Sequence, residues 1–129
     1  MRLDTGQHRF YAGIDLHARS LYAHVLDDRG RTVFDRDLAA SPDAFLDAVT
    51  PFRDDLVVGA ECMFAWYWLA DLCEAEGIRF VLGHALSMRA IHGGKTKTDK
   101  VDAAKIAGLL RGGLFPQADT YSSALHAIR

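Results

Sequence analysis

The chain has 129 residues, half of them hydrophobic and a quarter charged, with a formal net charge of −2 at neutral pH. That length suits one domain with its own core, and that balance excludes a disordered or collagen-like chain. No apolar run approaches the roughly 20 residues that cross a bilayer, and residues 1–9 lack the apolar segment of a signal peptide, so a cytoplasmic protein with no membrane partner is expected.

Residues 10–16 form a short apolar run, which predicts a strand covered on both faces. A second apolar run follows at 20–26, then the turn signal Asp27-Asp28-Arg29-Gly30. Over 32–38 the residues Val33, Asp35 and Asp37 alternate with Thr32, Phe34 and Arg36, as in a strand near a solvent edge. These three strands make an antiparallel meander. Ser41-Pro42 opens a helix, with Ser41 as the cap and Pro42 at the first helical position, and Pro51 ends it.

Residues 56–60 predict a buried strand, 64–76 a helix stopped by Gly77, and 78–82 another buried strand. After a break at Gly93-Gly94, a strong helix runs from Asp99 to about Arg111. Residues 122–129 start like one more helix, so 1–121 are read as one domain and 122–129 as the start of a linker helix to a further domain. The order is that of a mixed α/β sheet of five strands, three antiparallel and then two parallel, with helices on both faces.

The two cysteines, Cys62 and Cys73, form no C-x-x-C pair and complete no zinc site; both are expected reduced and buried. All four lysines, Lys95, Lys97, Lys100 and Lys105, fall within eleven residues. Between Ser87 and Arg111, six Lys/Arg face two Asp, so an acidic chain carries one basic segment able to meet phosphates. A solvated charge run is the plainer reading of that segment. The aromatics Phe64, Trp66, Tyr67 and Trp68 suit a core or an oligomer interface better than base stacking.

Four carboxylates stand out. Asp15 sits near the end of a strand between Ile14 and Leu16, where burying it is costly unless it is paired or bound to a metal. Glu61 follows another buried strand, at the strand ends where open α/β sheets bind ligands. Asp99 and Asp102 lie three apart on one helix face that continues through Ile106, Leu109 and Leu110, so both are expected to point inward. Singly, each acid is explained by a turn or a helix start. Together they suit divalent cations with hard oxygen ligands, Mg²⁺ or Mn²⁺. Two such ions about 4 Å apart would hold a phosphodiester for in-line attack. His17, two residues after Asp15, reads equally as a neighbour of that site or as a plain strand-end histidine.

The segments Tyr11-Ala12-Gly13-Ile14-Asp15-Leu16-His17, Val58-Gly59-Ala60-Glu61-Cys62 and His92-Gly93-Gly94-Lys95-Thr96-Lys97-Thr98-Asp99-Lys100-Val101-Asp102-Ala103 resemble the DEDD transposases of bacterial insertion sequences. That family includes Piv-type DNA invertases and bridge-RNA-guided recombinases. The resemblance implies an RNase H-like (RuvC-like) fold. It also implies that Asp15, Glu61, Asp99 and Asp102 bind metal and catalyse cleavage and joining of DNA strands. Lys95, Lys97, Lys100 and Lys105 would meet nucleic acid. DNA and a guide (bridge) RNA are the partners it implies; a second copy of the chain, or docking of the further domain, is expected instead from the bulky aromatics Phe64, Trp66, Tyr67 and Trp68, which cannot all face one core. The family's nucleophilic serine lies in a second domain, and that role is not carried onto Ser122 or Ser123. Two other readings compete. One is a non-catalytic nucleic-acid-binding fragment of a transposase. The other is the first half of an actin-like ATPase or sugar kinase, although Leu16-His17-Ala18-Arg19 lacks the glycines with which those wrap a phosphate.

Overall fold

A computed structural model describes residues 2–4, 7–61, 66–83 and 99–117, with side chains for all of these except 2–4 and 99. Cys62, Phe64, Lys95, Lys97, the Gly93-Gly94 break, Ser122, Ser123 and the expected linker start at 122–129 lie outside the described residues. The strands are β1 (Arg2–Asp4), β2 (Phe10–Leu16), β3 (Ser20–Asp27), β4 (Thr32–Ala39), β5 (Leu56–Glu61), β6 (Arg79–Gly83) and β7 (Phe115–Gln117). The helices are α1 (Pro42–Val49), α2 (Tyr67–Glu76) and α3 (Asp99–Arg111), with a 3₁₀ turn at Thr50–Asp55.

The sheet runs β1-β7-β6-β5-β2-β3-β4. β2, β3 and β4 form the expected antiparallel meander, and β5 and β6 extend it in parallel from β2. The class is therefore the mixed α/β sheet that the sequence predicts. The strand count differs: among the described residues there are seven, not five, because β7 adds antiparallel to β6 and β1 adds antiparallel to β7. Each is three residues long, and β7 contains Pro116, so neither carries a readable alternation.

Alternation assigns the two faces of the central strands. Ala12, Ile14, Val58 and Ala60 face a core completed by Phe45 and Val49 of α1 and Leu69 and Cys73 of α2. Tyr11, Val57 and Val81 face the other way, onto Ile106 and Leu110 of α3 and onto Phe115. Burial of β2 and β5 on both sides is why they read as unbroken apolar runs rather than as half-polar ones.

The helix ends follow the local sequence. The Ser41 hydroxyl accepts from the Ala44 amide at 3.2 Å, and Pro42 occupies the first turn. Gly77 closes α2 at φ 71°, where its amide reaches the Cys73 and Glu74 carbonyls. α2 opens at Tyr67, later than the expected 64, with Trp66 at the cap position and 3 % exposed. Anchoring that indole in the core accounts for the chain entering the helix there.

Candidate active site

Asp15 lies one residue before the end of β2, and Glu61 ends β5. The parallel register pairs Gly13 with Gly59 and Ile14 with Ala60, which makes Asp15 and Glu61 neighbours at the carboxyl ends of adjoining strands. Side chains alternate along a strand, so Tyr11, Gly13 and Asp15 share a face, as do Val57, Gly59 and Glu61. Tyr11 and Val57 pack beneath α3, which fixes that face as the α3 side.

α3 comes unusually close there. A Cβ at Gly13 would stand 2.1 Å from the Ala103 carbonyl oxygen and 2.5 Å from the Ala107 nitrogen. Only a residue without a side chain lets the helix backbone lie directly on β2. Asp102, next to Ala103, lies on the part of the helix that meets β2. Its Oδ1 is buried and has no hydrogen-bond partner among the described residues. Asp102 is half-buried with that oxygen turned inward, beside the buried Ala103, Ile106, Ala107 and Leu110, while Leu109 of the expected stripe is half-buried. Asp99 opens α3, and its side chain lies outside the described residues.

The Asp15 side chain is 14 % exposed, with one oxygen 3.1 Å from Nε2 of the more exposed His17. Glu61 is half-buried. Among the described residues, no three His, Cys, Asp or Glu side chains come together closely enough to hold a metal ion. The donor chemistry nonetheless fits one. Adjacent carboxylates repel, and a buried carboxylate oxygen without a donor is costly; a divalent cation relieves both. The oxygens of Asp15, Glu61 and Asp102 are the hard ligands that Mg²⁺ and Mn²⁺ prefer.

A second cluster lies on the same face, and the sequence pattern alone does not single it out. Asp35 of β4 is opposite His24 of β3, which in turn is opposite Gly13. His24 Nδ1 donates to Asp35 Oδ1 at 3.2 Å, and its Nε2 lies 3.2 Å from the Thr32 hydroxyl. A carboxylate only accepts, so the proton in this bond sits on His24 Nδ1. The Tyr22 hydroxyl also bonds Asp35, and the Lys100 ammonium of α3 is 3.3 Å from Asp35 Oδ2. Burial works to raise the Asp35 pKa, but the bonds from Tyr22, Lys100 and His24 outweigh it and hold it low. Burial and the bond to Asp35 push Tyr22 up. Cross-strand pairing of Asp35 and His24 was the available signal, but only once the hairpin register is known.

Of the basic residues, Lys100 thus has an acidic neighbour while remaining 63 % exposed, and Lys105 is half-buried. Tyr67 and Trp68 pack against the core that holds Trp66, in line with the core reading of the aromatics. Cys73 is fully buried, and burial pushes its thiol up to about 12, as an inert reduced cysteine requires. Among the described residues, no helix is long and apolar enough to cross a membrane.

No curated protein significantly matches the chain. Among solved structures, T. thermophilus RuvC in complex with a Holliday junction substrate is similar over 93 % of this chain and 88 % of that one, at 17 % identity and a TM-score of 0.45. The family model of the IS110-type DEDD transposases, described as a transposase, matches residues 12–129, which takes in Asp15, Glu61, Asp99 and Asp102. This extent leaves no room for the ATPase or sugar-kinase reading: the chain belongs to the IS110-type DEDD transposase family.

Proposed function

We propose that the chain carries the metal-dependent catalytic site of a DNA transposase, with Asp15, Glu61, Asp99 and Asp102 as the ligand acids. The observation that carries this reading is the buried Asp102 Oδ1, without a hydrogen-bond partner among the described residues, on a helix laid against the two strands that bear Asp15 and Glu61. A divalent ion there would supply charge neutralisation and Lewis acidity at a phosphodiester. The chain's own residues do the rest. Two rigid strands and one helix fix the carboxylates before substrate arrives, so ordering the site costs little at the moment of reaction. His17, next to Asp15, orients that carboxylate.

Residues 1–121 are read as the catalytic unit. Lys95, Lys97 and Lys105, with the exposed part of Lys100, contact phosphates of DNA or of a guide RNA and position the substrate without reading its sequence. RNA guidance and self-association belong to this proposal; the first rests on family membership and the second on the bulky aromatics Trp66, Tyr67 and Trp68. The test is nicking of supercoiled plasmid or branched DNA in Mn²⁺. The wild-type chain is expected to nick, and Asp15→Ala, Glu61→Ala and Asp102→Ala are expected to be inactive. Tight DNA binding without nicking, unchanged in all three variants, would favour the second reading of a non-catalytic nucleic-acid-binding fragment.

A further inference from the structure

The proposed acids arrive on two separate bodies, the sheet and α3, and something has to set the register between them. Ile106 and Leu110 pack the middle and end of the helix against the sheet, and at its far end the Arg111 guanidinium donates to the Asp28 carbonyl at 3.2 Å. Apolar contact is non-directional, and the first turn, where Asp99 and Asp102 lie, has exposed Lys100 and Val101 instead. A directional contact from that turn to the sheet is Lys100 to Asp35, at 3.3 Å.

Asp35 is unusually well placed to give it. Its Oδ1 accepts from His24, Tyr22 also bonds it, and its Oδ2 faces Lys100. Tyr22 is in turn the register partner of Asp15 across β2 and β3. A continuous path therefore runs from the strand of Asp15, through Tyr22 and Asp35, to Lys100, which sits between Asp99 and Asp102 in sequence. We infer that Asp35 is a positioning residue of the metal site: through Lys100 it pins the first turn of α3, so that the helix acids stay aligned with the strand acids.

An exposed ion pair contributes little to overall stability, so the expected signature is local. This inference rests on the metal-site reading above for its functional consequence, but the pinning itself can be measured without metal. The variants are Asp35→Asn, which keeps the size and the acceptor for Tyr22 and His24 while removing the charge, Lys100→Met, Lys100→Arg, and the double variant Asp35→Asn/Lys100→Met.

In metal-free protein, amide hydrogen exchange is read at Ala103, Ala104 and Lys105, which donate to the first-turn carbonyls. Asp35→Asn and Lys100→Met are each expected to speed exchange there by about tenfold while leaving Leu109 and Leu110 unchanged, with no further effect in the double variant. Mn²⁺ titration is expected to show about tenfold weaker binding in both single variants, the same loss in the double, and near wild-type affinity in Lys100→Arg. Unchanged exchange at the first turn overturns the inference, as does unchanged Mn²⁺ affinity in variants of a metal-binding wild type. If wild type binds no Mn²⁺ yet the exchange effect is present, the metal reading falls and the anchor stands.

Discussion

Replacing Gly13 by Ala places a methyl group where the structure has helix backbone. The new Cβ would stand 2.1 Å from the Ala103 oxygen and 2.5 Å from the Ala107 nitrogen, whereas ordinary contacts begin at 3.4 Å. α3 must therefore retreat by about 1.3 Å, and no rotamer change helps because the obstructing atoms are main chain. Overpacking of this kind costs about 1–3 kcal/mol, and backbone-on-backbone overlap belongs at the upper end. The same retreat lifts Asp102 away from Asp15 and Glu61, and a displacement near 1 Å in a preorganised site is enough for a loss on the order of tenfold or more.

Gly108→Ala on the same helix is the control. Nothing lies within 4 Å of its added Cβ, and alanine is favoured over glycine in a helix interior by about 1 kcal/mol. Urea denaturation followed by circular dichroism, paired with Mn²⁺ titration calorimetry, reads both effects. Gly13→Ala should lose stability and affinity together, while Gly108→Ala gains stability and keeps affinity. A Gly13→Ala protein as stable as wild type, with unchanged Mn²⁺ binding, would refute the close approach and the alignment drawn from it.

Asp102→Ala removes an unsatisfied buried oxygen, so metal-free stability should hold or rise by about 1 kcal/mol while Mn²⁺-induced stabilisation disappears; thermal melts with and without Mn²⁺ check both halves. Asp27, which closes the β3–β4 turn, has its pKa lowered chiefly by the Arg31 amide, with the Arg31 guanidinium at 2.7 Å and the Arg29 amide adding to it against burial. A depressed folded pKa means that the contribution is complete above the unfolded value of about 3.9 and is lost as pH falls through the folded one. Urea midpoints between pH 5 and pH 2 (roughly the carboxylate range) should therefore fall less steeply in Asp27→Asn than in wild type, and equal slopes would contradict this. Trp66→Ala should cost about 3–5 kcal/mol in urea denaturation, because a core indole is lost. In Cys62→Ser protein, Cys73 should resist alkylation at pH 8 until the chain is unfolded; prompt labelling of the native protein would show the thiol to be accessible.

Much of this architecture was legible because the central strands obey simple rules. Residues 10–16 and 56–60 are continuous apolar runs since helices cover both faces, and Ser41-Pro42 and Gly77 mark helix ends by their own chemistry. The inward turn of Asp102 was readable from its spacing to Ile106. β1 and β7 were not, because three-residue strands, one of them with a proline, carry no period; β7 is held by the edge of β6 and β1 by that of β7. The start of α2 was misplaced for a related reason: helical spacing describes the helix, while the buried indole of Trp66 decides where it begins. Asp35 is legible in sequence only as one residue of a strand near a solvent edge. Its partners come from positions 22, 24 and 100, and only tertiary structure joins the last of these to the hairpin. Neither a spacing rule nor a composition count reports a close approach such as that of α3 on Gly13. It follows from two backbones meeting where a side chain is missing.

The central claim is that Asp15, Glu61 and the acids of α3 share a divalent cation. Anomalous scattering from crystals of the protein soaked in Mn²⁺ tests it most directly. The account predicts a Mn²⁺ peak with carboxylate oxygens of Asp15, Glu61 and Asp102 at about 2.1 Å, absent in Asp102→Ala crystals. Manganese bound elsewhere, or no peak at these three residues in a well-ordered soaked crystal, would contradict it.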